Sequence, residues 1–426
     1  MPKTVRSSKK QRSSRVTPGR KLAFSVLEDI RCHKVFLEQA WNRAAKALSL
    51  PPAEKAFARL LTTEVVSRRG SLDILINRVL KSPDDIQDDV RNALRISFVE
   101  LFYLNKPAHV VSHEGVELVR SFAPKAAGVA NFALRRACEQ KTEFPFGDIH
   151  SDVSAASLYF GFPQWLTQKL IDEFGFDSAF HFMENSNCSS PLFFIINQAH
   201  ANGPQTLKSL VNQGIKIFPL PRIQQKDCGL SCFLFARRSD VGNEFVIDLL
   251  RKGSLVISDG AAQKMVLDTL DVDQSRTKER ISRLKQADIV QNEVFCQDAT
   301  HLSHFSDATY DAVFIDAPCT GVGTLRRHAD IRWRVTEHEI SAMAEKGLTM
   351  LKQAARLVKP GGSLTYATCT LFKEENERVV EAFLKSEQGN SFSVSSQLLF
   401  DDLFHKAQSE PLFDTHFVCK LQKDVS

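Results

Sequence analysis

Along the first third of the chain, apolar residues return every three or four positions. Ala23, Val26, Leu27 and Ile30 fall at i, i+3, i+4 and i+7, and Leu94, Phe98 and Leu101 continue the pattern. This spacing predicts amphipathic helices and a helical domain reaching to about Cys138. Phe144-Pro-Phe-Gly-Asp and Gly161-Phe-Pro-Gln-Trp165 interrupt the period and predict a connector leading into further short helices. From Pro191-Leu-Phe-Phe-Ile-Ile to Asn197 the chain becomes apolar, aromatic and β-branched, which opens a region of short strands closing near Phe245-Val-Ile, a small α+β subdomain. From Gly253 onward strands alternate with helices. Val313-Phe-Ile ends at Asp316, Ile340 to Leu357 carries a helical period, and Gly361-Gly-Ser-Leu-Thr-Tyr-Ala-Thr368 returns as a strand. Such alternation predicts a mainly parallel sheet flanked by helices, with ligands at the carboxyl ends of its strands.

Composition narrows the class. A chain of 426 residues, 43% hydrophobic, has enough apolar surface for two or three cores rather than one. No apolar run approaches the roughly 20 residues that span a bilayer, and the N-terminus is polar and basic with no apolar stretch, so a cytoplasmic protein with no membrane partner is expected. The cysteines lack the dense, even spacing of a disulfide framework, and reduced thiols are expected. Cys228 and Cys232 have no second pair at zinc-site spacing, so no metal is expected. The net charge is only +5, yet Met1 to Lys21 holds eight Lys or Arg and no carboxylate: a disordered solubilising tail or an arm for a polyanion.

Two motifs carry candidate chemistry. The first is Asp316-Ala-Pro-Cys319-Thr-Gly-Val-Gly323, continuing through Arg326, Arg327, Asp330 and Arg332 to Trp333. Its Asp and Pro set an extended turn at a strand end, and its glycines allow the backbone to approach a flat ligand such as a base. The second is Thr365-Tyr-Ala-Thr368-Cys369-Thr370, followed by Glu374-Glu-Asn376-Glu377 at the start of a helix, where the helix dipole can favour a thiolate.

Two strand-end cysteines, one after Asp-Ala-Pro and the other after Tyr-Ala-Thr, resemble the RNA cytosine-C5 methyltransferases. The helical segments Leu94-Arg-Ile-Ser, Pro107-Ala-His-Val-Val, Glu114-Gly-Val-Glu-Leu and Asn131-Phe-Ala-Leu-Arg-Arg resemble a NusB-like RNA-binding domain. Pro411-Leu-Phe-Asp-Thr-His-Phe417-Val-Cys-Lys-Leu421 resembles a closing strand of the same proteins. Together they resemble the RsmB/Fmu (Sun) family of bacterial ribosomal RNA methyltransferases, most specifically from Asp311 to Glu377.

The resemblance implies S-adenosyl-L-methionine as cofactor and ribosomal RNA, small-subunit rRNA foremost, as partner, in a protein acting as a monomer. It implies catalytic roles for three residues. Cys369 is the nucleophile that adds to cytosine carbon 6, Cys319 assists its release, and Asp316 binds the ring edge near N3. For cofactor binding it implies Asp273 near the ribose, with Asp271 an alternative, Asp298 near the adenine, and Asp316. The chain departs from the family in two places. No glycine occurs between Gly260 and Gly321, and Asp273 stands only ten positions after Gln263, where a strand, Gly-rich turn and helix of roughly 30 residues are expected. Ile195 occupies a position that is usually Arg, which removes a charged fork for phosphate. The remaining Arg326, Arg327 and Arg332 are expected beside the pocket, as backbone contacts or solvated surface.

The expected organisation is a basic disordered tail (1–21), an all-α NusB-like domain (22–142), a connector with short helices (143–185) and a small α+β subdomain (186–250). A C-terminal α/β Rossmann-like methyltransferase domain (251–426) follows, lacking its first strand and Gly-rich turn. The expected activity is methylation of cytosine C5 in ribosomal RNA through a Cys369 adduct. The alternative is a degenerate RNA-binding homologue that no longer binds the donor.

Overall fold

The computed structural model describes residues 16–47, 49–196, 203–219, 232–235, 238–257, 297–406 and 413–425. The chain divides into two compact units, Met1–Phe180 and His181–Ser426.

The first unit is helical. Its helices include Pro18–His33, Pro52–Ser67, Asp88–Phe98, Ala108–Phe122 and Ala127–Gln140. Ala23, Val26 and Leu27 of the first helix's apolar stripe are buried, in one core with Leu94, Phe98 and Leu101. Pro18 and Pro52 each open a helix at the position where a missing N–H costs nothing. After Phe98 the helix widens into a π-turn, Val99–Tyr103, that buries Glu100. Glu100 receives Arg20 through two hydrogen bonds, Nε at 2.9 Å and Nη2 at 2.6 Å. The segment expected as a tail to residue 21 therefore changes character earlier: Val16 is buried and the helix begins at Pro18, because Arg20 finds a carboxylate 80 residues away. Within the expected connector, Asp152 caps the helix Val153–Phe160 by accepting the Ser154 N–H, and Gly161 ends it with φ +74°.

The second unit holds two sheets. In the first, β1 (Leu192–Ile196), β2 (Ile217–Pro219), β3 (Cys232–Phe235) and β4 (Leu255–Ile257) lie in the order β2-β3-β1-β4, all antiparallel. Helices Gly203–Asn212 and Glu244–Arg251 contribute Leu210 and Val246 to its core. The strand expected at Phe245-Val-Ile is instead part of this second helix. Asn243 caps it through the Phe245 N–H at 2.9 Å, and Phe245, Val246, Leu249 and Leu250 share the core at helical spacing.

The second sheet contains β5 (Tyr310–Asp316), β6 (Val358–Thr368), β7 (Phe392–Leu399) and β8 (Phe417–Lys423) in the order β5-β6-β8-β7. Only β5 and β6 run parallel; β8 pairs antiparallel with both β6 and β7. The described sheet is thus mixed rather than mainly parallel, since β8 returns to insert between β6 and β7. The β5–β6 crossover carries the helix Glu337–Ala355, opened by a capping box between Thr336 and Glu339. Leu351, Ala354 and Ala355 of that helix pack on Ile315, Val358, Leu364 and Tyr366 of the sheet. Among the described strands, β5 has a partner on one edge only, and Tyr310, Asp311 and Ala312 are exposed. No described helix is long and apolar enough to cross a membrane.

Candidate active site at the ends of β5 and β6

Parallel pairing sets Asp316 opposite Ala367, and the Ala317 N–H continues the ladder to the Ala367 carbonyl at 2.8 Å. The loops leaving the two strands therefore start at the same height. Cys319 on one and Cys369 on the other bring their sulfurs to 3.1 Å, and the Cys369 N–H donates to the Cys319 sulfur at 3.2 Å. Both thiols are half-buried and neither is in a disulfide.

The Cys319 thiol is pushed well above the ordinary value, first by its hydrogen bond with the Cys369 sulfur, then by burial and by its proximity to Cys369 and Glu375. The Cys369 N–H opposes this in part. Cys369 does not sit at the start of a helix as expected. The next helix, Glu377–Leu384, begins eight residues later, so the first-turn dipole acts on a different part of the loop.

Glu375 holds the two loops to each other. One carboxylate oxygen accepts the Thr320 N–H at 2.7 Å; the other accepts the hydroxyls of Thr320 at 2.7 Å and Thr370 at 2.9 Å. Burial raises its carboxyl above the usual range, and these three donors counter the rise. Its backbone carbonyl accepts the Tyr366 hydroxyl at 2.8 Å, and Asn376 bonds Thr368 Oγ1 at 2.5 Å and the Thr370 carbonyl at 3.3 Å. The sequence alone pointed to no role for Glu375. The available signal was a threonine directly after each cysteine, with an acidic turn shortly beyond.

The glycines act differently from one another. Gly321 adopts φ +72°, and a Cβ there would lie 4.0 Å from the Cys369 sulfur, so this turn faces the pair. Gly323 is pressed against the protein's own backbone rather than against a ligand. A Cβ would fall 2.1 Å from the Thr415 carbonyl oxygen and 2.8 Å from that of Cys369. Its N–H donates to the Cys369 carbonyl and its carbonyl accepts the Thr415 N–H, both at 3.1 Å.

The arginines expected at the pocket rim are largely inside. Arg326 pairs with buried Asp414 at 2.8 Å, its side chain only 2% exposed, and Arg327 meets the other Asp414 oxygen at 2.7 Å. Arg332 is fully buried and donates to Asn187 at 3.0 Å. Asp414 comes from the segment before β8, so nearby residues gave no sign that these cations would be enclosed.

Of the acids expected to hold a cofactor, Asp316 is exposed at the end of β5. Asp298 is exposed and accepts the Thr300 N–H at 2.9 Å and hydroxyl at 2.8 Å, which lowers its carboxyl below the ordinary range. Asp273, Asp271 and Gln263 lie outside the described residues, as do Cys228, Cys296 and residues 1–15 of the basic segment.

The chain is similar to known proteins over both of its units. The family of 16S rRNA methyltransferase RsmB/F matches residues 253–409, and the NusB family matches residues 17–139. The probable ribosomal RNA small subunit methyltransferase B of Bacillus subtilis is 22% identical over 405 residues, 87% of this chain and 88% of that protein. The probable enzyme of the same name from Synechocystis sp. is 26% identical over 461 residues, 95% of this chain and 99% of that protein. That aligned length exceeds the 426 residues of the chain, so the relative has positions that this chain lacks. The crystal structure of PH0851 shares the fold with a TM-score of 0.70 at 19% identity, covering 96% of this chain and 100% of that one. The chain thus carries a NusB-family domain followed by a domain of the 16S rRNA methyltransferase RsmB/F family.

Proposed function

We propose that the chain acts on a cytosine of ribosomal RNA, attacking carbon 6 with Cys369 as the first step of S-adenosylmethionine-dependent methylation at carbon 5. The observation that carries this reading is the pair of sulfurs 3.1 Å apart, hydrogen-bonded to each other at the ends of two parallel strands.

Carbon 5 of cytosine is a weak nucleophile until a group adds at carbon 6 and makes the ring enamine-like. Cys369 is the thiol for that addition. Asp316, exposed at the strand end, is the acid for the ring edge near N3, where charge develops as the bond forms. Cys319 changes role as the adduct forms. While Cys369 is a free sulfur, its hydrogen bond and proximity hold the Cys319 thiol well above its ordinary value. Once Cys369 is a neutral thioether, both influences vanish and Cys319 becomes more acidic. Cys319 then gives its own proton to solvent, and once carbon 5 carries the methyl group the Cys319 thiolate takes the carbon 5 proton, the carbon 6–sulfur bond breaks with the ring double bond restored, and the released Cys369 thiolate is again next to an S–H donor. Replacing Cys319 with Ser removes the acidic group, so Cys319→Ser protein incubated with 16S rRNA and donor should remain attached to RNA on a denaturing gel. Normal turnover by that variant would sink the assignment.

S-adenosylmethionine would supply the methyl group, but the described residues do not form a site for it. Asp298 is engaged by its own turn, and no described strand and turn flank the outer edge of β5. A second reading, an RNA-binding homologue without donor binding, is favoured by the absence of glycine from 261 to 320 and by the positions that the Synechocystis relative has and this chain lacks. Calorimetric titration with S-adenosylmethionine separates the two: saturable binding supports the enzyme, and none supports the homologue.

A further inference from the structure

We propose that Glu375 is a positioning residue for the cysteine pair: its carboxylate ties the residue after Cys319 to the residue after Cys369 and so fixes the separation of the two sulfurs. This rests on reading the cysteines as a working pair. The geometry is specific. Thr320 and Thr370 each follow a cysteine directly, and both bond the same carboxylate, from loops 50 residues apart in sequence. Glu375 is 1% exposed and Thr370 fully buried, so water does not compete for these contacts.

A buried carboxylate is costly to maintain unless donors compensate it. Among the described residues Glu375 is compensated by three donors from the cysteine loops, and no ion pair to it is described. The Tyr366 hydroxyl anchors its backbone to β6, and Asn376 binds the residues before and after Cys369. The turn 373–376 is thereby fixed to the sheet, with the Glu375 side chain reaching across to the β5 loop. Removing the carboxylate leaves the Cys319 loop tied to the Cys369 loop only by the contact of the Thr320 and Thr370 hydroxyls at 3.0 Å, the contacts of the sulfurs themselves and those of Gly323.

The separation of two thiols can be read without RNA or donor, as their tendency to form a disulfide. Oxidised glutathione takes two electrons and two protons from Cys319 and Cys369 and leaves as two reduced glutathione molecules. The ratio at equilibrium measures how closely the sulfurs are held. Full-length protein is equilibrated in glutathione buffers, and the Cys319–Cys369 linked peptide is quantified by mass spectrometry. Glu375→Ala should lower the equilibrium constant about tenfold, a rise of ~30 mV in reduction potential for a two-electron couple. Thr370→Val, which removes the hydroxyl tie on the Cys369 side, should shift it in the same direction, and the double variant should lose no more than the larger single change. Glu375→Gln, which keeps the size and one acceptor oxygen, should recover part of the loss. Constants within threefold of the parent for Glu375→Ala and Thr370→Val overturn the proposal, as does a fall in the first with no change in the second. Where Glu375→Ala does not fold, Thr370→Val decides in the same terms. Because no RNA or donor enters the measurement, failure here is distinct from failure to methylate.

Discussion

Asp414 offers the sharpest test of how the site is supported. Its carboxylate meets Arg326 at 2.8 and 2.9 Å through Nη2 and Nε, and Arg327 at 2.7 Å, in a fully enclosed position. Replacing Asp414 with Ala strips a buried guanidinium of this carboxylate. Breaking a buried ion pair from one side costs about 3–5 kcal/mol, whereas an exposed pair contributes about 0–1 kcal/mol. Asp414→Ala should fall in the first range, because Arg326 is 2% exposed and Asp414 fully buried. The loss should be local to the second unit. It can be followed by urea unfolding through Trp333 fluorescence, with Trp41 and Trp165 replaced by Phe. Adding Arg326→Met, which removes the stranded charge, should restore part of the stability. A cost below about 1 kcal/mol would refute the reasoning, since the pair would then behave as though solvated.

Two further outcomes follow from the same geometry. Gly323→Ala drives a Cβ to 2.1 Å from a backbone oxygen that cannot rotate away, so the Cys369 and Thr415 bonds to Gly323 should both fail. At about 1–3 kcal/mol for each buried group left unsatisfied, the variant should lose roughly 2–6 kcal/mol in the same urea assay; unchanged stability contradicts the packing. Cys319 should resist iodoacetamide at pH 8 because its thiol is held well above the ordinary range, and Cys369→Ala, by removing the strongest cause of that rise, should speed its alkylation. Equal rates in both proteins, read by peptide mass spectrometry, contradict the direction of the shift.

Much of the site was legible in the sequence because its signals are local. An apolar run ending in Asp316-Ala-Pro-Cys319 and another ending in Tyr366-Ala-Thr368-Cys369 announce two strand ends, and the structure joins them as parallel neighbours. What escaped is what depends on distant partners. Strand sense is decided by β8, which enters between β6 and β7 from the chain's end. The enclosure of Arg326 depends on Asp414, 88 residues on, and the work of Glu375 on Thr320, 55 residues back. At Phe245-Val-Ile a β-branched, aromatic triplet suggested a strand; the cap at Asn243 and the core contacts of Val246 outweighed that preference. Arg20 lies in a run of basic residues that composition assigns to a tail, and only Glu100 on its π-turn makes it part of a core.

The central claim is that Cys369 adds reversibly to carbon 6 of a cytosine, and this can be measured without the methyl donor. An unmodified 16S rRNA transcript carrying tritium at cytosine carbon 5 is incubated with the protein in water. Addition of the Cys369 thiolate with a solvent proton at carbon 5, then loss of the labelled hydrogen and of the thiolate, releases tritium. The account predicts release by the parent protein and none by Cys369→Ala. Release that is the same in both proteins, or absent from the folded, RNA-bound parent, would contradict it.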